Sequence, residues 1–77
     1  MEKSAFLGLI EDLVEMDKGS LKGDESLSAL AGWDSLAVVG FIALVDREFG
    51  MEVPAREVSA ASTIGDLVAL LGGRVSG

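Results

Sequence analysis

Few residues in this chain could do chemistry. Its 77 residues include no cysteine and no histidine, so neither a Ser-His nor a Cys-His nucleophile pair can be assembled. Thiolate and imidazole zinc sites fall with them, and no metal site is expected. Carboxylates remain. Asp12 and Glu15 could share acid–base work, but their helical spacing puts them on a solvated face without a nucleophile, so no catalytic residue is assigned and an enzyme is not expected. The informative run is Gly32-Trp33-Asp34-Ser35-Leu36, which closes a long loop and opens the most apolar helical stretch. A serine there exposes its hydroxyl where backbone N–H groups and the positive end of a helix dipole converge, and a phosphodiester on it would sit in favourable electrostatics. Capping alone also explains an Asp-Ser pair before a helix, and an Asp-Ser-Leu tripeptide arises by chance in roughly a few per cent of chains this long.

The elements that position this run follow from apolar spacing. Phe6, Leu9, Ile10, Leu13 and Val14 recur on one helical face and predict a helix from about Ser4 to Asp17. Ser4 is its expected N-cap and Gly19 its expected left-handed end, while Glu11, Asp12, Glu15 and Asp17 fall largely on the surface. The segment from Lys18 to Asp34 is long for a loop, with Leu21, Leu27 and Leu30 to pin it and a short turn expected over Ser26 to Leu30. A second helix is expected from Ser35 to Phe49, ending at Gly50. Val38, Phe41, Ile42, Val45 and Phe49 make one face of it, and Leu36, Val39 and Ala43 a second apolar strip, which implies burial on two sides or contact with a partner. After Val53 and Pro54 a short helix is expected over Ala55 to Val58. Thr63 and Asp66 have capping-box spacing ahead of a last helix carrying Ile64, Leu67, Val68 and Leu71, with a loose tail from Arg74 to Gly77. No alternating run suggests a strand. The expected fold is all-α, a bundle of three main helices plus one short helix with a long first loop.

Composition narrows the partners. Thirteen acids against six bases leave a net charge of −7, which disfavours nucleic acid, since phosphate binding needs a basic patch. Basic protein partners gain from steering, though excess acid also simply keeps a small domain soluble. No stretch approaches a membrane span. The apolar run from Ala5 to Ile10 is too short for a secretory signal and meets Glu11 and Asp12 at once. A monomer in the cytoplasm is expected, as one domain over residues 1–77. Trp33, the single tryptophan, is expected to pack against the loop leucines. Gly40 permits either a close helix approach, a small pocket for a bound chain, or neither.

The stretch from Gly32 to Leu71 resembles the acyl carrier protein family. In that family a Gly-x-Asp-Ser-Leu motif opens the second helix, matched by Gly32 to Leu36. An acidic-aromatic-Gly end is matched by Arg47-Glu48-Phe49-Gly50, a turn with proline by Val53-Pro54, and the last helix opening by Thr63-Ile64-Gly65-Asp66-Leu67. The resemblance covers nearly the whole chain and weakens before Leu27. It implies that a phosphopantetheinyl transferase attaches 4′-phosphopantetheine from coenzyme A to Ser35, with Asp34 and Leu36 as the flanking motif. The terminal thiol of the arm then holds acyl intermediates as thioesters, so the sulfur belongs to the cofactor, and the carrier shuttles them between acyl-loading and acyl-transferring enzymes. Fatty acyl and polyketide cargo are both open. The alternatives are an aminoacyl or peptidyl carrier and an unmodified helical interaction module.

By the same resemblance, Leu36, Val39, Ala43, Asp46 and Glu48 are the partner-binding positions. One departure matters: the family's fatty-acid carriers have an acidic second helix, whereas Ala37, Val38, Val39, Gly40 and Phe41 carry no acid. A specialised carrier with a more apolar docking face is expected. It should serve a general fatty-acid ketosynthase poorly, and acids introduced at Ala37 and Gly40 should improve it.

Overall fold

A computed structural model describes residues 1–76. Four helices form in chain order: α1 (Lys3–Leu13), α2 (Ser35–Phe49), α3 (Ala55–Ala60) and α4 (Ile64–Leu70), with single 3-10 turns at Leu27–Ala29 and Gly72–Arg74. No strand forms among the described residues; isolated bridges join Glu2 to Ser76 and Ser26 to Thr63. The fold is the all-α bundle that the apolar spacing predicts.

The interior is apolar and closely packed. Phe6, Ile10, Phe41, Val45, Val58, Ile64, Leu67 and Leu71 are fully buried. Phe6 meets Phe41 edge-on, and Phe41 meets Trp33 edge-on, each with ring centroids 6.1 Å apart, a favoured aromatic geometry. Trp33, half-buried, packs against the core, with its ring on Phe41. Helix α2 packs against both α3 and α1, and α3 packs against α4. Helix α2 is the centre of the bundle, and α4 reaches it largely through the shared core.

Three expectations about the first third of the chain are corrected. Helix α1 stops at Leu13, not Asp17, because Val14 leaves helical geometry and Glu15 takes a left-handed φ of 59°. Gly19 is also left-handed, but it lies in the loop beyond the helix. The residue at the N-cap is Glu2, with no side-chain capping bond. Ser4 lies inside the first turn, so it cannot cap the helix. Most consequential, Glu11 is buried, only 2% exposed. With the helix cut short, the chain folds back over its last turn, and the Glu11 carboxylate accepts backbone N–H bonds from Gly19 (3.0 Å) and Leu21 (2.9 Å).

The long loop is tied at two further points. Leu27 N–H donates to Ser62 O at 2.9 Å and Ile64 N–H to Glu25 O at 3.0 Å, which pins it to the α3–α4 connection. That connection carries the expected capping box: Thr63 Oγ1 accepts from Asp66 N–H, and the Asp66 carboxylate accepts from Thr63 N–H. Helix α3 runs to Ala60, two residues past the expected end. The tail is more ordered than expected: Lys3 N–H donates to Ser76 O and Ser76 N–H to Met1 O at 2.8 Å, which joins the two ends of the described chain. Gly77 lies outside the described residues.

The Glu11 anchor makes a pH prediction. The Leu21 N–H bond, first, and then the Gly19 bond and nearby Lys18 hold its carboxyl below the ordinary value of 4.5, against the opposing effect of burial. A depressed folded-state pKa stabilises the fold above the unfolded value, and that contribution is lost as pH falls through the folded one. In thermal melts, Glu11→Ala should lower Tm at pH 7 by about 5 °C or more, since it orphans buried N–H groups. The gap between wild type and variant should narrow as pH falls below 4.5. A gap that is constant with pH would sink the carboxylate-anchor account.

Candidate functional site

The site grows from the N-terminus of α2. Asp34 is extended (φ −142°, ψ −170°) and its Oδ1 accepts the Ala37 N–H at 2.9 Å, so the aspartate is a true N-cap. This assigns Asp34, and not Ser35, the capping role. Ser35 is then the first helical residue and is exposed. Its hydroxyl stands at the end of a 15-residue helix, where first-turn N–H groups lack intrahelical acceptors. The loop reaches this point through a tight contact: a Cβ on Gly32 would lie 2.5 Å from the Val14 carbonyl oxygen. Only glycine lets the loop end pass this close to the end of α1.

Along α2 the two apolar faces separate. Ala37, Phe41, Leu44 and Val45 are buried, and Val38, Ile42 and Phe49 are half-buried. Leu36, Val39 and Ala43 are exposed, Leu36 at 77% and Val39 at 62%. The structure thus brings Ser35, Asp34, Leu36, Val39 and Ala43 to one end and one side of the molecule. Asp46 lies seven residues beyond Val39, nearly the same direction around the helix, whereas Glu48 lies nine residues beyond, about half a turn away. Glu48 also pairs with Arg47 at 3.2 Å. The geometry groups Asp46 with the apolar strip and leaves Glu48 out.

Sequence spacing missed the contribution of the last residue of α1 and the two residues after it. Leu13, Val14 and Glu15 line the groove that flanks Leu36 and Val39, together with Gly32 and Gly40. A Cβ on Gly40 would stand 2.5 Å from Leu13 Cδ1, so this glycine serves close approach of α1. Two substitutions suggested by the sequence are corrected in turn. Ala37 is only 4% exposed and Gly40 is covered by Leu13. Acids there would disrupt packing, and the exposed Val39 and Ala43 are the positions to use instead.

An exposed serine hydroxyl at a capped helix start, beside an apolar groove, fits a phosphodiester-linked arm. Ser35 would hold it, with Asp34 fixing the turn that presents the hydroxyl. Among the described residues, no three acids lie close enough to hold a metal ion, and no helix is long and apolar enough to cross a membrane.

Comparison with known proteins agrees with this geometry. The family model for the phosphopantetheine attachment site matches residues 4–71. An acyl carrier protein of Lactobacillus acidophilus is 35% identical over 63 residues, covering 82% of this chain and 79% of that protein. An acyl carrier protein of Clostridium acetobutylicum is 33% identical over 60 residues, covering 78% of each. No solved structure matches significantly.

Asp34→Ala should remove the cap on α2 and cost about 1 kcal/mol, a Tm loss of about 5 °C for a domain of this size. Asp34→Asn should keep most of that stability. Equal losses for the two variants would show that the cap is not what Asp34 contributes.

Proposed function

The chain belongs to the phosphopantetheine-attachment family of acyl carrier proteins, whose domain carries covalent 4′-phosphopantetheine, and from that premise we propose that Ser35 is the attachment residue and that residues 1–77 act as one cytoplasmic carrier domain. The observation that carries this reading is the exposed Ser35 hydroxyl at the first position of α2, with Asp34 committed to the Ala37 N–H beside it. When bound, the group supplies a thiol on a flexible arm, where acyl groups are held as thioesters.

The chain's own residues do the remaining work. Asp34 fixes the turn. The first N–H groups of α2 offset phosphate charge. The Phe6–Phe41–Trp33 contacts and the tethered loop hold the attachment point rigid, so only the arm need move. A rigid base with a mobile tether delivers cargo to successive enzymes at high local concentration. The partners are a phosphopantetheinyl transferase and enzymes that load and transfer acyl groups.

The docking face supports a specialised carrier. From Ser35 to Val45, α2 has no charged residue, so a partner reading Leu36, Val39 and Ala43 would need an apolar patch more than a basic one. Acyl-loaded Val39→Glu should be used by a general fatty-acid ketosynthase about tenfold faster than wild type. Full-rate use of the wild type would remove the specialised reading.

Attachment is tested by intact mass after incubation with coenzyme A, magnesium and a broad-specificity phosphopantetheinyl transferase. Wild type should gain one phosphopantetheinyl group and Ser35→Ala none. Folded wild type that gains nothing, while a control carrier is modified, would favour an unmodified interaction module.

A further inference from the structure

A partner that reads Ser35 meets the start of α2, where no acidic or basic residue lies between Ser35 and Val45. The acids at this end of the molecule come from outside the helix. Glu15 and Asp34 line the groove beside Leu36 and Val39, and Asp12 lines its continuation toward Arg47. Two of these three are committed. Asp34 Oδ1 accepts the Ala37 N–H at 2.9 Å, and Asp12 pairs with Lys18 at 2.8 Å. Glu15 is exposed, and its carboxylate has no ion pair among the described residues. Its backbone is a separate observation. Glu15 has a φ of 59°, and elsewhere among the described residues positive φ falls only on Gly19, Gly23, Gly50 and Gly72. A Cβ makes this conformation costly, whereas glycine adopts it freely. A glutamate here gives up stability that glycine would keep, and strained residues of this kind cluster at functional sites.

We propose that Glu15 is a specificity-determining residue for the loading of Ser35, where it contacts a cationic side chain of the phosphopantetheinyl transferase. The proposal deepens the carrier reading and rests on it. The occupant follows from the chemistry of the donor. Coenzyme A carries a pyrophosphate and a ribose phosphate, so the enzyme that brings it to Ser35 must surround it with arginine and lysine. With the start of α2 uncharged, that cationic surface finds its free carboxylate at Glu15, on the turn that follows α1. Leu36 and Val39, exposed on the same groove, supply the apolar part of the contact. A charge at the rim of such a contact acts on encounter and affinity more than on the chemical step, and salt screens it. Glu15 thus gives the transferase a mark to read that does not lie on α2.

The test compares wild type, Glu15→Gly, Glu15→Lys and Glu52→Lys as substrates of a broad-specificity phosphopantetheinyl transferase with coenzyme A and magnesium. Values of kcat and KM for the carrier are read from intact mass. Glu52 is also exposed and follows the far end of α2, so Glu52→Lys makes the same change in net charge away from Ser35. Glu15→Lys should raise KM about tenfold and Glu15→Gly about threefold, with kcat within about twofold in both. Glu15→Gly should at least hold the wild-type Tm, since glycine suits the turn, so a damaged fold would not account for its KM. Glu52→Lys should stay within about twofold of wild type, and raising salt from about 0.05 to about 0.5 M should shrink the Glu15→Lys effect. An unchanged KM for Glu15→Lys, an equal rise for Glu52→Lys, or a rise that salt leaves intact would overturn the proposal. A wild type that gains no arm would remove the carrier reading and the proposal together. A modified wild type whose KM ignores Glu15 would remove the proposal alone.

Discussion

The fold turns on a buried carboxylate. A 77-residue chain without disulfides has little core to spare for a loop of some twenty residues, and such a loop would ordinarily be loose. Glu11 removes that problem by accepting the N–H groups of Gly19 and Leu21 from inside the last turns of α1. The charge is tolerated in a nearly dry position because hydrogen bonds replace its lost water. Leu21, Leu27 and Leu30 then enter the core, the Glu25 and Leu27 backbones join the α3–α4 connection, and the chain arrives at Gly32 close against Val14. Every later step in presenting Ser35 depends on that path.

The helices that follow are legible in the sequence because their signals are local and agree with one another. For α2, the apolar repeat, the Asp34 cap and the left-handed Gly50 coincide, so both ends are where the residues predict. For α4, the Thr63–Asp66 capping box is equally local. Helix α1 is different. Its apolar repeat continues through Val14, and nothing near Leu13 announces a stop. The chain turns at Val14 and the left-handed Glu15, the returning loop supplies N–H groups to Glu11, and a residue with glutamate's polarity reads as surface until that loop is in place. Ser4 misleads for a related reason, since the helix start is also engaged by Ser76 from the far end of the chain.

The candidate site divides along the same line. Asp34, Ser35 and Leu36 are adjacent in sequence, and the exposed strip of Val39 and Ala43 follows from helical spacing. The groove beside them does not, because one wall comes from Leu13 at the end of α1 and from the two residues that follow it. Leu13 and Val14 satisfy the core-facing repeat of α1, and only the contact of Leu13 with Gly40 shows that one of them borders solvent as well. The same contact explains why α2 tolerates glycine in mid-helix. It also divides the labour of α2, with Phe41 and Val45 inward as structure and Leu36 and Val39 outward as surface.

The central claim is that Ser35, and no other hydroxyl of this serine-rich surface, bears the arm. It is tested most directly by purifying the chain from cells that make it naturally and locating the modification by fragmentation of its peptides. The proposal predicts a single phosphopantetheine on the peptide containing Ser35. An arm on Ser26 or Ser28, or a chain that stays unmodified in cells whose other carriers are fully loaded, would contradict it.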